Sequence, residues 1–295
     1  PPSDQSDTSK ASCAPALTSN PLCLIPVPHY DEYIQHGAPD VAEKASAWAT
    51  GIGLQAVDGL EVSAYLDQAA RDNIEGRITL DEVRQRVDAY YQVRHVQGQH
   101  QRDTHEEADR VATRIAQVLC EGGFSWSPAS YIGVHERLFA DIFDHAGQLR
   151  PYNISKREWV LNGASVVYAP YTQLRATLDY DLAAERDFDY RSFTPAQTRR
   201  HLAQFVAQLW QIHPFAKGNT RTTAVWLILY LRRLGFAVDN TPFARHAWYF
   251  RNALVRANYS ALAEGIHPNL DFLDRFFDNL LFGAQHELRN RDLRV

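Results

Sequence analysis

The run Ala224, Val225, Trp226, Leu227, Ile228, Leu229 constrains this chain more than any other feature. A helix through residues 222–234 would be apolar on nearly every side, and such a helix has to be sheathed at the centre of a bundle. A bilayer is the other home for an all-apolar helix. No apolar run here approaches the ~20 residues that spanning one requires, so no membrane partner is expected. The chain reads as a bundle organised around one buried helix.

The sheath follows from apolar residues recurring at helical spacing. Helices are predicted at 40–49, 63–73, 80–91, 106–120, 128–146, 171–186, 195–213, 243–262 and 269–282, with Gly147 stopping the fifth. Thr79, followed three residues on by Glu82, is a capping-box signal. Gly51, Gly53 and Gly59 punctuate the chain after the first helix. One stretch departs from the pattern: EWVL and ASVVYA flank Asn162-Gly163, a strong β-hairpin signal over residues 158–169. The predicted class is mostly α with a small β-hairpin. Residues 1–38 begin with a Ser-, Pro- and Thr-rich stretch without periodicity and read as a poorly ordered tail. Residues 39–105 read as an N-terminal helical region, with 92–105 a polar loop, and 106–295 as the main domain.

With 295 residues and 45% hydrophobic content, a sizeable core needs no disulfide or metal staple. A net charge of −5 offers no global basic field for nucleic acid. The cysteines are Cys13, Cys23 and Cys120, an odd and unpaired set that argues against a disulfide framework or zinc site. A reducing compartment fits best, and the start PPSDQSDTSK lacks the features of a signal peptide. The histidines His95, His100, His105, His135, His145, His201 and His246 form no ligand-like cluster; they read as solvated or structural, with no metal site.

Chemistry concentrates in 212–236, IHPFAKGNTRTTAVWLILYLRRLGF. One helix ends at His213-Pro214, and the central helix starts after a short loop. Gly218, Asn219 and Thr220 can turn backbone N–H groups toward one point, and a helix N-terminus with such a nest attracts phosphate. Arg221 adds a guanidinium for phosphate oxygens, and His213 can accept a proton near neutral pH. Together these suggest transfer of a phosphorus-centred group to a hydroxyl. On spacing alone, a corner in which Gly218-Asn219 merely turns the chain is an equally good account.

The segment resembles the Fic (filamentation induced by cAMP) motif H-x-F-x-[DE]-G-N-G-R-x-x-R, with His213, Phe215, Gly218, Asn219 and Arg221 in register. The resemblance extends over roughly residues 40–295. FDHAGQLRPYNISKREWVLNG is similar to the helix end and flap hairpin of that family, and FRNALVRANY to its adenine-bordering helix. It implies a Fic-type helical bundle and a protein adenylyltransferase, which moves AMP or a related nucleotide group from ATP onto a Ser, Thr or Tyr hydroxyl of a target protein, or onto itself. A bacterial cytoplasmic setting goes with it. The implied roles are His213 as base, Phe215 as loop anchor, and Lys217, Gly218, Asn219, Thr220, Arg221, Phe250 and Asn258 as nucleotide or phosphate contacts. Trp248, Tyr249 and Phe250 also fit a plain core stripe. The flap residues Val160, Val166 and Tyr168 would offer a strand edge to the target, or else pack as a lid.

Three positions depart from the pattern. Lys217 stands where an acid would hold Mg2+, which takes oxygen ligands. Thr220 replaces a glycine, with a β-branch that makes positive φ costly. Ala224 replaces the second arginine. A degenerate nucleotide-binding or regulatory module without transferase activity is therefore the alternative function. RDNIEGRITLDEV is similar to the family's inhibitory segment [ST]-x-x-x-E-[GN], which implies an inhibitory role for Glu75; a turn between two helices is the alternative. The usual partner of that glutamate is Ala224 here, leaving Lys217 or Arg221 as candidates.

Overall fold

The computed structural model describes residues 30–96 and 104–295. The described residues form α1 (Asp31–His36), α2 (Pro39–Gly53), α3 (Ala64–Ile74), α4 (Leu80–Val96), α5 (Thr104–Glu121) and α6 (Pro128–Phe139). They continue through α7 (Leu174–Arg186), α8 (Pro195–Ile212), α9 (Asn219–Arg233), α10 (Thr241–Ala257) and α11 (Asp271–Phe282). The expected mostly-α class holds.

α9 is the central helix: every residue from Asn219 to Leu231 is buried. It packs against α5, α6 and α8. Its outer half is clasped by aromatic rings, with Trp126 lying 5.4 Å from Trp226 and 4.6 Å from Tyr230. Each such pair adds about 0.5–1.5 kcal/mol beyond its buried area. A second layer forms where α2 lies between α5 and α10. Gly51 and Gly53 belong to α2, which runs to Gly53, and they set this spacing. A Cβ on Gly53 would stand 2.1 Å from the Ala244 carbonyl oxygen, and one on Gly51 would stand 2.6 Å from that of Ala112.

Local sequence signals place several helix starts. Thr79 and Glu82 form the expected reciprocal cap: Thr79 N–H donates to Glu82 Oε2 at 2.7 Å, and Glu82 N–H donates to Thr79 Oγ1 at 3.2 Å. Thr194 and Gln197 do the same at the start of α8. α6 stops at Phe139, short of the predicted end. Arg114 on α5 donates to the carbonyls of Leu138 and Ala140, and Asp141 turns the chain at φ +60°. α1 falls inside the segment expected to be a tail; residues 1–29 and part of the expected loop, 97–103, lie outside the described residues.

The hairpin expectation is corrected. The chain does reverse at Asn162-Gly163 (φ +52° and +93°), and Glu158 N–H donates to Ala164 O at 3.0 Å. No strand ladder follows among the described residues, because Trp159–Leu161 coils into a 3-10 turn. Val160, Val166 and Tyr168 are buried at 0%, 3% and 7% exposure, so their side chains face the core. Val160 O is taken by Val295 N–H at 3.0 Å. Among the described residues no helix is long and apolar enough to cross a membrane.

Candidate active site

α8 ends on His213 in the left-handed region (φ +49°, ψ 57°), a conformation that costs a non-glycine residue about 1 kcal/mol or more. Arg150 over-determines it. This arginine, 3% exposed, donates from Nε to His213 O at 2.8 Å and from Nη2 to Ile212 O at 3.4 Å. It also ties in Tyr152 O and Ala169 O at 2.5 Å each, while its backbone N–H reaches Pro214 O at 2.9 Å. One guanidinium thus joins the end of α8 to both arms of the flap segment.

The His213 ring is buried at 2% exposure. Nδ1 lies 3.3 Å from Trp210 O, an acceptor, so the proton belongs on Nδ1 and the Nε2 lone pair is free. Nε2 is enclosed and has no hydrogen-bond partner. Burial holds the imidazole pKa well below its ordinary value, and Lys156, with Arg251 and Arg150, lowers it further. At neutral pH the ring is therefore an uncharged acceptor. Tyr168 covers it, with ring centroids 4.3 Å apart.

The loop from Pro214 to Gly218 is pinned from below. Phe215 is fully buried and stacks on His135 at 3.8 Å. His135 Nδ1 accepts from Gly147 N–H at 2.9 Å, which leaves Nε2–H to donate to Lys217 O at 3.1 Å. Burial depresses the His135 pKa to about 4. The Asn219 amide closes the loop on itself, accepting from Phe215 N–H at 3.0 Å and donating to Phe215 O at 2.7 Å.

Gly218 is the N-cap of α9 at φ +75°, and no side chain caps this helix start. Its first-turn N–H groups lack intrahelical partners, as at any helix start. A side chain here would be both strained and crowded: a Cβ would sit 2.4 Å from Phe139 Cε2. Thr220 lies in the first turn of α9, not in a positive-φ loop, so the expected backbone cost does not arise. Its hydroxyl accepts from Trp210 Nε1 at 2.9 Å, bonding the starts and ends of the two site helices together.

Arg221, expected to offer its guanidinium to phosphate oxygens, is engaged within the protein. It is 1% exposed, with Nε 2.9 Å from Asp58, Nη2 2.6 Å from Glu107 and Nη1 2.9 Å from Gln55 Oε1. The Asp58 contact is an ion pair without hydrogen-bond alignment, since Nε has no hydrogen-bond partner. The guanidinium also lies over the Phe139 ring at 4.8 Å. Its charge is committed to two carboxylates brought by residues 55–58 and α5.

The remaining predicted residues separate. Lys217 is exposed, its ammonium 5.4 Å from the Phe143 ring centroid. An ammonium cannot ligate Mg2+, and no group of three or more His, Cys, Asp or Glu side chains suited to a metal occurs among the described residues. The donor set of the loop does not fit the family's magnesium. Phe250 is fully buried between Phe243 and Phe276, at 5.0 and 4.9 Å. Asn258 donates to Ala207 O and Leu254 O, both at 2.9 Å. Both side chains are committed to packing and capping rather than turned to the loop. Glu75 binds Tyr33 and Arg77; Arg221 is instead engaged by Asp58 and Glu107. Sequence reasoning read His135 as solvated or structural, without its role under the loop, and missed Arg150, Asp58, Glu107 and Gln55. None carries a local signature, because each acts on a partner distant in the chain.

Residues 125–231 match the family model described as Fic/DOC family. The chain is 28% identical over 152 residues to the Probable protein adenylyltransferase y4lH of Sinorhizobium fredii, covering 51% of this chain and 74% of that protein. It is 26% identical over 109 residues to Protein adenylyltransferase VbhT of Bartonella schoenbuchensis, covering 36% of this chain and 21% of that protein. The crystal structure of the N-terminal Fic domain of a VirB-translocated Bep effector protein from Bartonella quintana aligns with a TM-score of 0.46 and 18% identity, over 62% of this chain and 85% of that one. Motif and sequence relatives agree: residues 125–231 are a segment of the Fic/DOC family.

Proposed function

We propose that this protein transfers AMP, or a related nucleotide phosphate group, from ATP to a Ser, Thr or Tyr hydroxyl of a target protein. The observation that carries the reading is the unpaired Nε2 of a neutral, buried His213. An unsatisfied buried acceptor costs about 1–3 kcal/mol, and in native structures such an orphan calls for a role. Here the role is general base. The target hydroxyl proton passes to Nε2, the oxygen bonds to the α-phosphorus, and the bond to the pyrophosphate leaving group breaks. The uncapped start of α9 at Gly218 supplies N–H groups for the phosphates. The names of the two protein adenylyltransferase relatives support the same chemistry.

One observation favours the second reading, a nucleotide-binding or regulatory module without transfer: Arg221 is already neutralised by Asp58 and Glu107. Labelled ATP separates the two. Protein incubated with lysate and ATP labelled at the α-phosphate should label a target, and ATP labelled at the γ-phosphate should not. Label from neither, alongside measurable nucleotide binding, selects the binding module.

A further inference from the structure

Between α7 and α8 lies a groove of about 730 Å³. It adjoins the site, for Ile212 and Tyr168 belong to its wall, and Tyr168 covers the His213 ring. Two helix faces meet across it. α8 contributes Gln204, Gln208 and Gln211, spaced four and three residues apart and so stacked in one stripe. α7 contributes Tyr180 and Asp181.

At one end, Gln211 already holds the main chain of residues 167–169. The Gln211 side chain donates from Nε2 to Val167 O at 2.9 Å, and the Gln211 main-chain carbonyl accepts from Ala169 N–H at 3.4 Å. Gln204 and Gln208 continue the row as exposed side chains without a hydrogen-bond partner among the described residues. An amide side chain both donates and accepts, which complements a peptide main chain and is indifferent to its side chains.

Selection needs a charge, and the groove has one. Asp181 is half-buried, its carboxyl pKa is raised by burial, and it has no ion pair among the described residues. The other charged lining groups, Glu185 and His201, are paired with each other at 2.6 Å, and no Lys or Arg lines the groove.

We infer that this groove docks an extended segment of the target polypeptide, its main chain on the Gln204–Gln208–Gln211 row and a lysine or arginine on Asp181. Naming the occupant as the modified target rests on the transferase reading; the binding itself does not require transfer.

A peptide array tests it without nucleotide. Short peptides with a central serine, threonine or tyrosine, varied at each flanking position, are probed with the labelled full chain. Wild type should retain peptides with Lys or Arg at one fixed flanking position about tenfold over Ala or Glu there, the scale of one charge-assisted contact. Asp181→Asn should erase that preference, whereas Gln208→Ala should weaken all peptides alike. Gln208 is exposed and Asp181 half-buried, and unchanged thermal unfolding of the variants checks their fold. His213→Ala should bind as wild type does. A wild type without basic preference, or a preference that survives Asp181→Asn, overturns the inference. So does a dimer that dissociates in Asp181→Asn, which would seat a second copy in the groove. Basic preference in a protein that transfers nothing sinks the transferase reading and keeps the groove; transfer without preference does the reverse.

Discussion

The His135 ring joins three parts of the site, and acid should release it. Its neutral form accepts from Gly147 N–H, donates to Lys217 O and stacks on Phe215. A second proton would leave Nδ1 unable to accept, so the folded state holds the pKa near 4 against 6.5 for a free imidazole. A base whose folded pKa is depressed contributes stability that is complete above pH 6.5 and drains away as pH falls toward 4. At 1.36 kcal/mol per pH unit the full effect is about 3 kcal/mol. Burial also holds the His213 pKa well below its ordinary value, so the comparison has to be differential. His135→Gln keeps an acceptor and a donor but does not titrate. Chemical denaturation of both proteins at several pH values between 7 and 4 is the assay (~ half-unit steps resolve the window). Wild type should lose about 3 kcal/mol more than the variant across that range. Parallel stability curves would refute the assignment of His135 as a neutral pin.

Three further substitutions probe the loop. Gly218→Ala adds a Cβ against Phe139 in a positive-φ position and should cost about 3 kcal/mol or more, measured by urea unfolding. Arg221→Ala strands Asp58 and Glu107, which are partly exposed and can recover water; a loss of about 2–3 kcal/mol is expected, below the range for fully buried pairs. Differential scanning calorimetry should show a Tm lower by several degrees, and no change would mean the cluster is not an organising contact. Thr220→Val leaves the Trp210 indole N–H without its acceptor and should cost about 1–2 kcal/mol in the same experiment.

The parts of this fold that were legible in the sequence are those decided within a few residues. The apolar α9 had one place to go, and the Thr79–Glu82 cap, the turn at Asn162-Gly163 and the helix–loop–helix around His213 are local chemistry. What was misread depends on distant partners. The arms of the expected hairpin had strand-forming residues, but Val160 and Leu161 are drawn into the core and the Val295 N–H occupies the carbonyl a ladder would use. α6 looked long enough to reach residue 146, yet Arg114 takes its terminal carbonyls at Leu138 and Ala140. In the site, His213, Gly218 and Arg221 were found because a motif spaces them, whereas the ion pairs of Arg221 were not legible because Asp58 and Glu107 are far away in the chain. Phe250 and Asn258 were assigned by similarity of a segment, and segment similarity does not say which way a helix face turns.

The central claim is that His213 is the base of a nucleotide transfer. Intact-mass analysis of wild type and His213→Ala, each incubated with ATP and candidate targets, addresses it directly, with calorimetry to follow nucleotide affinity in parallel. Removing the base should act on chemistry rather than binding. The wild type should therefore add the mass of one AMP group to a target or to itself, and His213→Ala should add none while binding nucleotide with nearly unchanged affinity. Equal modification by the two proteins, or none by either, would contradict the account.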